Sequence, residues 1–561
     1  MMKRQRNKLI LNYRYQNLMD ESNHGNDPAL FNESVLYSLC RVNKTEDRDR
    51  KYTFDMKDAS SKKKSTVSFH LRSLTNVFLA FCIGLSYVYG CSNAPKGALE
   101  TIRLEAENAV ISGGGNSPAQ IVNDLDCSGG KYVETRESNL RFSFSISREG
   151  NYKILARVRV PNGSGYKINK FRFDGEHTND ITFYQSGEFE DYTVVDPYFF
   201  TTGNHTIEMI KSWGWMQLDY LEICPSSAAV VEFDIQPLVT SQPDVNAVKL
   251  YHFLLDHFQQ KIISGVMTFK SLATTTGNEQ NEISWLYEKT GKKPALLGLD
   301  FMDHVGALQP DWINNPDIIQ DATNWKNNNG IVAICWHWRD PSHQTYEFYT
   351  ERTSFDPRKI FEPQSAEYAA MMRDIDIIAG YLKTLQTNGV PVLWRPLHEA
   401  SGGWFWWGSQ GAEACKKIWQ IMFDKFVNKH GLKNLIWVWT SEANNNALNW
   451  YPGDDYVDII GLDVYEEGNH SSQMLAFEEL KRIYYGKKLL ALSECGSIPE
   501  IASMKRDYAI WSFYMPWYGS HTKNQVWNTV KDWQSSLSDP DVIALDDMPG
   551  NFYVNESIKH E

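Results

Sequence analysis

The sequence predicts two folded domains, an antiparallel β-sandwich of the jelly-roll type followed by a (β/α)8 TIM barrel. Short alternating strands with turn residues between them fill residues 98–225 without a convincing helix, which is typical of a sandwich. Eight apolar strand-like runs alternate with helical stretches over residues 247–555, which is typical of a parallel barrel. At 561 residues the chain is long enough for both domains.

The composition excludes several classes of protein. Hydrophobic residues make up 42% and charged residues 22%, as in ordinary globular proteins. The net charge of −13 is unfavourable for binding nucleic acid, so we expect no nucleic-acid partner. The 8 cysteines form no C-x-x-C pair and have no histidines at metal spacing, which argues against a zinc site and a dense disulfide framework.

The first 91 residues are interpreted as an extension followed by an export signal. Residues 1–55 are polar and aperiodic, and we expect them to be disordered or untranslated. Residues 56–91 carry lysines, then an apolar run, then V-Y-G before Cys91. This pattern resembles a bacterial lipoprotein signal, which implies a lipid anchor at Cys91 and a location in the bacterial envelope, facing the periplasm or at the cell surface. A transmembrane anchor is the alternative, although the run is short for a span.

Four segments stand out in the predicted sandwich: L-E-A-E (104–107), G-G-K-Y-V (129–133), F-R-F-D-G (171–175) and W-G-W-M-Q-L-D-Y-L-E-I (213–223). Together they resemble a carbohydrate-binding module of family 35. The resemblance implies a structural calcium ion held by Glu105, Glu107 and Asp219, and oxygen ligands suit this cation. Two surface carboxylates on one face of a strand are the alternative for the glutamates. Trp213 and Trp215 are candidates for a sugar platform, with a core position for one of them as the alternative.

A linker at residues 226–246 leads to the predicted barrel. The eight expected strands are 264–269, 294–300, 330–338, 390–399, 434–440, 457–465, 488–496 and 508–517. Catalysis in such barrels takes place at the carboxyl ends of the strands. These ends carry polar and aromatic side chains: Asp300, His337, His398, Glu399, Asp463, Tyr465, Glu494 and Trp517. The sequence therefore predicts an active site at this end of the barrel.

Glu399 and Glu494 are the candidate catalytic pair, because they follow the fourth and seventh strands, whose ends face one another across the barrel mouth. Two carboxyl groups in this position suit glycoside hydrolysis, and tryptophans nearby suit stacking on sugar rings. A separation of about 5–5.5 Å gives retention of configuration, and about 6.5–9.5 Å gives inversion. The alternative is that Glu399 caps a following helix and that the tryptophan cluster is part of the core, but the arginine, glycines and tryptophans taken together favour catalysis.

Four motifs follow one another on the expected strands: R-P-L-H-E (395–399), G-G-W-F-W-W-G (402–408), W-Y-P-G-D-D-Y-V-D-I-I-G-L-D-V-Y (450–465) and S-E-C-G (493–496). Over residues 248–550 they resemble glycoside hydrolase family 26, chiefly endo-β-1,4-mannanases. The resemblance implies retaining endo-hydrolysis of β-1,4-mannosidic linkages in mannan, glucomannan or galactomannan, without a cofactor in catalysis. Two alternatives remain: the same mechanism on mixed-linkage β-glucan or β-1,3-xylan, and a non-catalytic lipoprotein that captures polysaccharide.

The resemblance also implies roles for individual residues. Glu399 matches the acid/base, which needs a raised pKa, and Glu494 matches the ionised nucleophile. Tyr465 matches the tyrosine that orients the nucleophile. Trp517 matches the stacking floor under the reacting sugar, and Arg395 is expected to hold a neighbouring carboxylate. The residues expected around the substrate are His337, His398, Trp404, Trp517 and Arg395.

Overall fold

The computed structural model describes residues 99–175, 177–277, 279–305, 313–444 and 446–553. The expected extension, the expected signal and Cys91 lie outside these residues. Among the helices that are described, none combines the length and the apolar character needed to cross a membrane.

Two antiparallel sheets form the first domain and confirm the predicted sandwich. Its strands are β1 (Ile102–Glu105), β2 (Val110–Gly113), β3 (Gln120–Asn123), β4 (Lys131–Glu134), β5 (Ser138–Ile146), β6 (Gly150–Arg159), β7 (Lys167–Phe173), β8 (His177–Phe183), β9 (Glu190–Phe200), β10 (Gly203–Trp213) and β11 (Gln217–Pro225). One sheet has the order β3-β4-β11-β6-β9, with β1 paired to β11, and the other has the order β2-β5-β10-β7-β8. Alternate residues of β5 and β6 are buried, because each sheet presents one face to a shared apolar core.

Eight parallel strands close into a barrel in the second domain, as the sequence predicts. They are β12 (Ile262–Met267), β13 (Leu296–Asp300), β14 (Ile331–Trp336), β15 (Val392–Pro396), β16 (Leu435–Thr440), β17 (Ile459–Val464), β18 (Leu489–Cys495) and β19 (Phe513–Pro516). The barrel closes where β12 pairs with both β13 and β19. A short additional strand, β20 (Val542–Ile543), pairs with the start of β12.

Helices separate the barrel strands along the chain. They are α1 (Val245–His257), α2 (Glu282–Thr290), α3 (Ile318–Asn327), α4 (Ala366–Thr387), α5 (Ala412–Phe423), α6 (Ala447–Trp450), α7 (Met474–Ile483), α8 (Ile501–Arg506), α9 (Ser520–Lys523) and α10 (Val530–Ser538). Every residue of β14 and of β16 is buried, which explains why these strands are continuous apolar runs in the sequence. The loops that follow the strands lie together at the carboxyl end of the barrel.

Candidate active site

The barrel brings the two candidate glutamates together with a third carboxylate. Glu399 follows β15, Asp463 lies in β17 and Glu494 lies in β18. One carboxylate oxygen of each of the three lies within 4.8 Å of the others. This spacing is too short for the gap of about 6.5–9.5 Å that an inverting enzyme needs for its water. The geometry therefore favours a retaining mechanism between the two alternatives that the sequence leaves open.

The backbone after β15 takes a left-handed path that presents Glu399 to the barrel mouth. Leu397 has a φ of 49° and Glu399 a φ of 53°, both in the region that residues with a side chain rarely adopt. Glycine is required shortly afterwards, because a Cβ atom on Gly402 would lie 1.9 Å from the Trp404 ring. The Glu399 side chain makes no capping hydrogen bond to the short helical turn that follows, which removes the capping alternative.

The tryptophans after Glu399 divide into one surface residue and two core residues. Trp404 is 47% exposed, and its Nε1 donates a hydrogen bond to Glu399 Oε2 at 2.9 Å. Trp406 and Trp407 are fully buried, with their indole nitrogens donating to the carbonyls of Trp338 and His398 at 2.6 and 2.9 Å. Only Trp404 of this cluster is therefore available to a sugar, and the other two hold the loop on the barrel.

The surroundings of Glu399 favour its protonated form. Burial raises the pKa of its carboxyl group, and the nearby Glu494 carboxylate raises it further. The hydrogen bond from Trp404 and the charge of Arg395 act in the opposite direction but do not cancel the effect. A raised pKa is the property that an acid catalyst needs, because the group then keeps its proton to a higher pH.

Two donors hold the Glu494 carboxylate. The Tyr465 hydroxyl donates to Oε1, and Arg395 donates from its Nη2 to Oε2. The Tyr465 ring remains 40% exposed, so the residue reaches from the solvent-facing edge of the site down to the carboxylate. This arrangement fixes the direction in which Glu494 points.

Arg395 links Glu494 to a second carboxylate. Its Nη1 donates to Asp463 Oδ2 at 2.7 Å and to Thr440 Oγ1 at 3.3 Å. Ser493 Oγ donates to the other oxygen of Asp463 at 2.7 Å. Burial acts to lower the pKa of Arg395, but the two carboxylates outweigh it and raise this pKa well above its ordinary value. The guanidinium is thus a permanent positive charge inside the site.

Two histidines, His337 and His398, contact each other at the barrel mouth. The backbone N–H and the Nδ1 of His337 both donate to Asp300, at 3.1 and 2.6 Å, and the Nε2 atoms of His337 and His398 are 3.1 Å apart. Burial and the charge of Arg395 lower the pKa of His398 well below its ordinary value, so its ring is neutral. We assign its proton to Nε2, from which it donates to His337, because Nδ1 of His398 is buried without a partner.

Trp517 is half-buried at the end of β19, with its ring centroid 5.5 Å from that of His337. The structure thus gathers every predicted barrel residue at one mouth. The sequence reasoning did not give Asp463 and Asp300 their functions as partners of Arg395 and His337. The available signal was that both end an apolar strand, and that Asp463 lies two positions before Tyr465, on the same face of the chain.

The two candidate sites of the sandwich lie in different surroundings. Trp213 and Trp215 are 52% and 42% exposed, so neither occupies the core position that the sequence left open. Glu105, Glu107 and Asp219 each keep one carboxylate oxygen that is buried without a hydrogen-bond partner. A Cβ atom on Gly129 would lie 2.6 Å from Glu107 Oε1, so only glycine leaves room beside that carboxylate. Burial, together with the neighbouring glutamates, raises the pKa of Asp219 to about 6.

Two family models match the chain. The model described as glycosyl hydrolase family 26 matches residues 239–547, and the carbohydrate binding module of family 35 matches residues 102–226. A mannan endo-1,4-beta-mannosidase from Thermothelomyces thermophilus is 31% identical over 459 residues, which are 80% of this chain and 90% of the relative. The mannan endo-1,4-beta-mannosidase B of a Piromyces species is 32% identical over 81% of this chain and 78% of its own length.

Solved structures lead to the same family. A GH26-CBM35 beta-(1,4)-mannanase from Podospora anserina is 32% identical, with a TM-score of 0.55, over 80% of this chain and 99% of that one. A beta-mannanase from a symbiotic protist of the termite Reticulitermes speratus, complexed with gluco-manno-oligosaccharide, is 42% identical over 57% of this chain and 99% of that one, with a TM-score of 0.53. The chain belongs to glycosyl hydrolase family 26 and is a glycoside hydrolase that carries a family 35 carbohydrate-binding module.

Proposed function

We propose that the chain hydrolyses β-1,4-mannosidic linkages inside mannan, glucomannan or galactomannan chains, with retention of configuration. The observation that carries this proposal is the close approach of Glu399 and Glu494, the first with a raised pKa and the second held by a guanidinium and a phenol. Curated relatives that match most of this chain are mannan endo-1,4-beta-mannosidases, which supports the choice of polymer.

In the first step Glu494 attacks the anomeric carbon while Glu399 gives its proton to the glycosidic oxygen. The bond between that carbon and the leaving sugar breaks, and a covalent bond to Glu494 forms. Tyr465 and Arg395 aim the attacking carboxylate, and Trp517 supports the reacting ring from below. Once the leaving sugar departs, Glu399 is an ionised base.

In the second step Glu399 takes a proton from water, and the resulting hydroxide attacks the same carbon from the opposite side. The bond to Glu494 breaks, so two inversions give net retention and both glutamates return to their starting forms. Glu399 can take up this proton because burial and the nearby Glu494 carboxylate raise its pKa and so favour its neutral form. All steps use groups of the protein alone and need no cofactor.

Product analysis tests the substrate and the stereochemistry together. Purified protein is incubated with mannan, mixed-linkage β-glucan and β-1,3-xylan, while chromatography sizes the products and NMR records the anomer formed first. We expect manno-oligosaccharides of several lengths and the β-anomer. Faster hydrolysis of either other polymer would transfer the mechanism to that substrate, and no hydrolysis of any would favour the non-catalytic alternative.

We also propose that the sandwich binds a structural calcium ion through Glu105, Glu107 and Asp219. Three buried carboxylate oxygens without partners are costly in a folded protein, and a hard cation with oxygen ligands would satisfy them. Ser128 supports this arrangement, because its backbone N–H donates to Asp219 and its hydroxyl donates to Glu105, at 3.3 and 2.7 Å. The ion would fix the first and last strands of the domain to each other and to the loop around Ser128.

The exposed tryptophans support polysaccharide binding by the sandwich. The ring of Tyr166 lies 4.9 Å from that of Trp213, and Lys167 extends over the same indole. Trp215 is held by a hydrogen bond from its Nε1 to Glu137 at 3.0 Å. Substitution of Trp213 and Trp215 by alanine, each alone, tests this assignment: retardation of the protein in gels containing mannan is expected to fall for the residue that contacts sugar.

We propose, finally, that the protein is exported and anchored by a lipid at Cys91. The sequence pattern around Cys91 is the support for this proposal. In bacterial cells, Cys91→Ala is expected to move the enzyme from the membrane fraction to the soluble fraction without changing its specific activity. A wild-type protein that is already soluble, or a mature N-terminus at another residue, would contradict the anchor.

A further inference from the structure

Three side chains of kinds that bind metal ions lie together where two neighbouring barrel strands end. Asp300 ends β13, and Cys335 in β14 is its partner in the sheet. His337 follows two positions after Cys335, so the two side chains point to the same face of the chain. One ligand atom of each of the three residues lies within 4.8 Å of the others. The fold thus gathers a carboxylate, a thiol and an imidazole in one place.

This combination of atoms suits zinc better than a hard cation. Zinc is bound in proteins by thiolate sulfur, imidazole nitrogen and carboxylate oxygen, with bonds of about 2.0–2.3 Å, and three protein ligands leave a fourth position for water. Tetrahedral bonds of this length place the ligand atoms about 3.5 Å apart, so the three side chains reach that geometry by small shifts. Calcium and magnesium prefer oxygen ligands. The sulfur and the nitrogen distinguish this set from the cluster of Glu399, Asp463 and Glu494.

All three groups are available to an ion. Cys335 is a free cysteine. The side chains of His337 and Asp300 remain 8% and 12% exposed, which leaves a route from the barrel mouth. Burial, together with the charge of Asp300, raises the pKa of the Cys335 thiol well above its ordinary value, so the thiol keeps its proton in the absence of metal. A metal ion displaces that proton to the solvent when it binds the sulfur.

The charges balance when zinc is bound. The Asp300 carboxylate and the Cys335 thiolate contribute two negative charges, and an imidazole binds metal in its neutral form. With Zn²⁺ the group of ligands and ion is therefore neutral. This matters because an uncompensated charge in a buried position is costly.

An ion in this position changes the hydrogen bonds of two active-site histidines. His337 donates from Nδ1 to Asp300 Oδ2 at 2.6 Å, and its Nε2 accepts from His398 at 3.1 Å. A metal ion bound to Nδ1 takes the place of the proton there, which moves to Nε2 of the same neutral ring. Both Nε2 atoms would then be donors, so His398 has to move its own proton to Nδ1, which is buried without a partner. Both rings thereby present the wrong atoms to a substrate.

We propose that Asp300, Cys335 and His337 bind zinc, or another divalent cation that prefers sulfur, and that the bound ion inhibits hydrolysis. The binding stands on the geometry of the three side chains, whereas the inhibition rests on the proposed function. The spacing of cysteines along the sequence argues against a zinc site, but that rule concerns ligands from one segment. Here the ligands come from two strands that only the fold brings together.

Inhibition of mannan hydrolysis by zinc tests the site. The assay contains excess calcium, which occupies clusters that offer oxygen alone, and the activity of each protein without zinc is its reference. Zinc is expected to lower kcat/KM of the wild-type protein. Cys335→Ser keeps the shape of the side chain and is expected to raise the inhibition constant by about 10–100-fold, the loss of affinity seen when even a supporting group is removed from a metal site. Cys495→Ser is the matched control, a second buried free cysteine in a barrel strand, and is expected to keep the wild-type constant.

X-ray absorption at the zinc edge identifies the ligands without a variant and without activity. Wild-type protein with one equivalent of zinc, in excess calcium, is expected to show one sulfur neighbour at about 2.3 Å. A spectrum with only oxygen and nitrogen neighbours would overturn the site, and so would equal inhibition of all three proteins, which would place zinc on the catalytic carboxylates. Zinc bound through sulfur without inhibition would overturn the inhibitory effect. A protein that fails to hydrolyse mannan without zinc would contradict the proposed function, while the spectrum still decides the site.

Discussion

Among the described residues, the barrel and the sandwich each hold a cluster of three carboxylates, and the two clusters differ in how a guanidinium contacts them. In the barrel, Arg395 donates hydrogen bonds to both Asp463 and Glu494. In the sandwich, the nearest guanidinium to Asp219 belongs to Arg157, whose Nε is 3.7 Å from the carboxylate, beyond hydrogen-bond distance. Both clusters have an arginine beside them, but only in the barrel does the guanidinium donate hydrogen bonds to two of the carboxylates.

This difference is the basis for proposing catalysis at the barrel cluster and a calcium ion at the sandwich cluster. In the barrel, Arg395 donates a hydrogen bond to Glu494, and burial beside that carboxylate raises the pKa of Glu399. In the sandwich, Arg157 is too far from Asp219 for a hydrogen bond, and each of the three carboxylates keeps one buried oxygen without a partner, which the proposed calcium ion would satisfy. The number of acidic residues is the same, so the two proposals rest on the groups that face the acids.

The largest effects are expected from removing the two barrel glutamates. Both Glu399→Ala and Glu494→Ala should nearly abolish hydrolysis of mannan, because each lacks a group needed in the transition state. An activated aryl mannoside separates them, since its leaving group needs no proton. Glu399→Ala should still form the covalent intermediate, and added azide should restore turnover with retained configuration.

Glu494→Ala has no group to form that intermediate, so it should be slow on both substrates and give an azide product of inverted configuration. NMR of the azide products provides the measurement. Reversed stereochemistry in the two variants would exchange the functions of the two glutamates. Unchanged hydrolysis of mannan in both variants would remove the site from the barrel mouth.

Removing the Arg395 guanidinium should destabilise the barrel. Arg395→Met leaves two buried carboxylates without their shared cation, and loss of one partner of a buried ion pair costs about 3–5 kcal/mol. We therefore expect a lower free energy of unfolding in urea and loss of activity. Arg157→Met is the matched control in the sandwich, with an expected cost of at most about 1 kcal/mol, because its contact with Asp219 is long. Equal costs for the two variants would contradict the comparison.

Adding calcium should raise the free energy of unfolding of the sandwich, by less than Arg395→Met lowers that of the barrel. Calcium at 100 times its dissociation constant is expected to stabilise the domain that binds it by about 2.7 kcal/mol. The melting temperature of the full chain, measured with calcium and then with chelator, reports this effect. Asp219→Asn should remove the dependence on calcium. A wild-type melting temperature that is the same with calcium and with chelator would exclude the calcium site.

The smallest expected effect concerns the proton on Glu399. The Trp404 indole lowers the pKa of Glu399 by donating to its ionised form, so Trp404→Phe should raise that pKa. Because Glu399 must be protonated to act as an acid, the alkaline limb of the kcat/KM profile should move to higher pH in the variant. A limb that moves to lower pH would show that Trp404 does not control this proton.

The sequence was a sufficient guide to both folds and to the position of the barrel site. Periodicity gave the strands, and the rule that chemistry lies at their carboxyl ends gave Glu399 and Glu494. Contacts between segments that are distant in the sequence could not be predicted from it. Glu282 supports Phe269 and Gly519 across the barrel seam, yet in the sequence it is only an acidic residue at the start of a helix.

Burial was equally hard to predict within the tryptophan-rich loop. Trp404, Trp406 and Trp407 are chemically alike and adjacent in sequence, but one faces solvent and two are in the core. The outcome depends on the turn between Glu399 and Gly403, whose left-handed residues alter the direction of the chain. Such a turn leaves no periodic pattern in a single sequence.

The left-handed backbone at Glu399 lowers the stability of the barrel at a residue that its activity needs. A residue with a side chain in this conformation costs about 1–2 kcal/mol, whereas glycine adopts it freely. Glycine at position 399 would relieve that strain and remove a buried carboxyl group from the field of Glu494. Selection for thermal resistance alone would therefore favour an inactive barrel, and engineering for heat tolerance should leave this residue untouched.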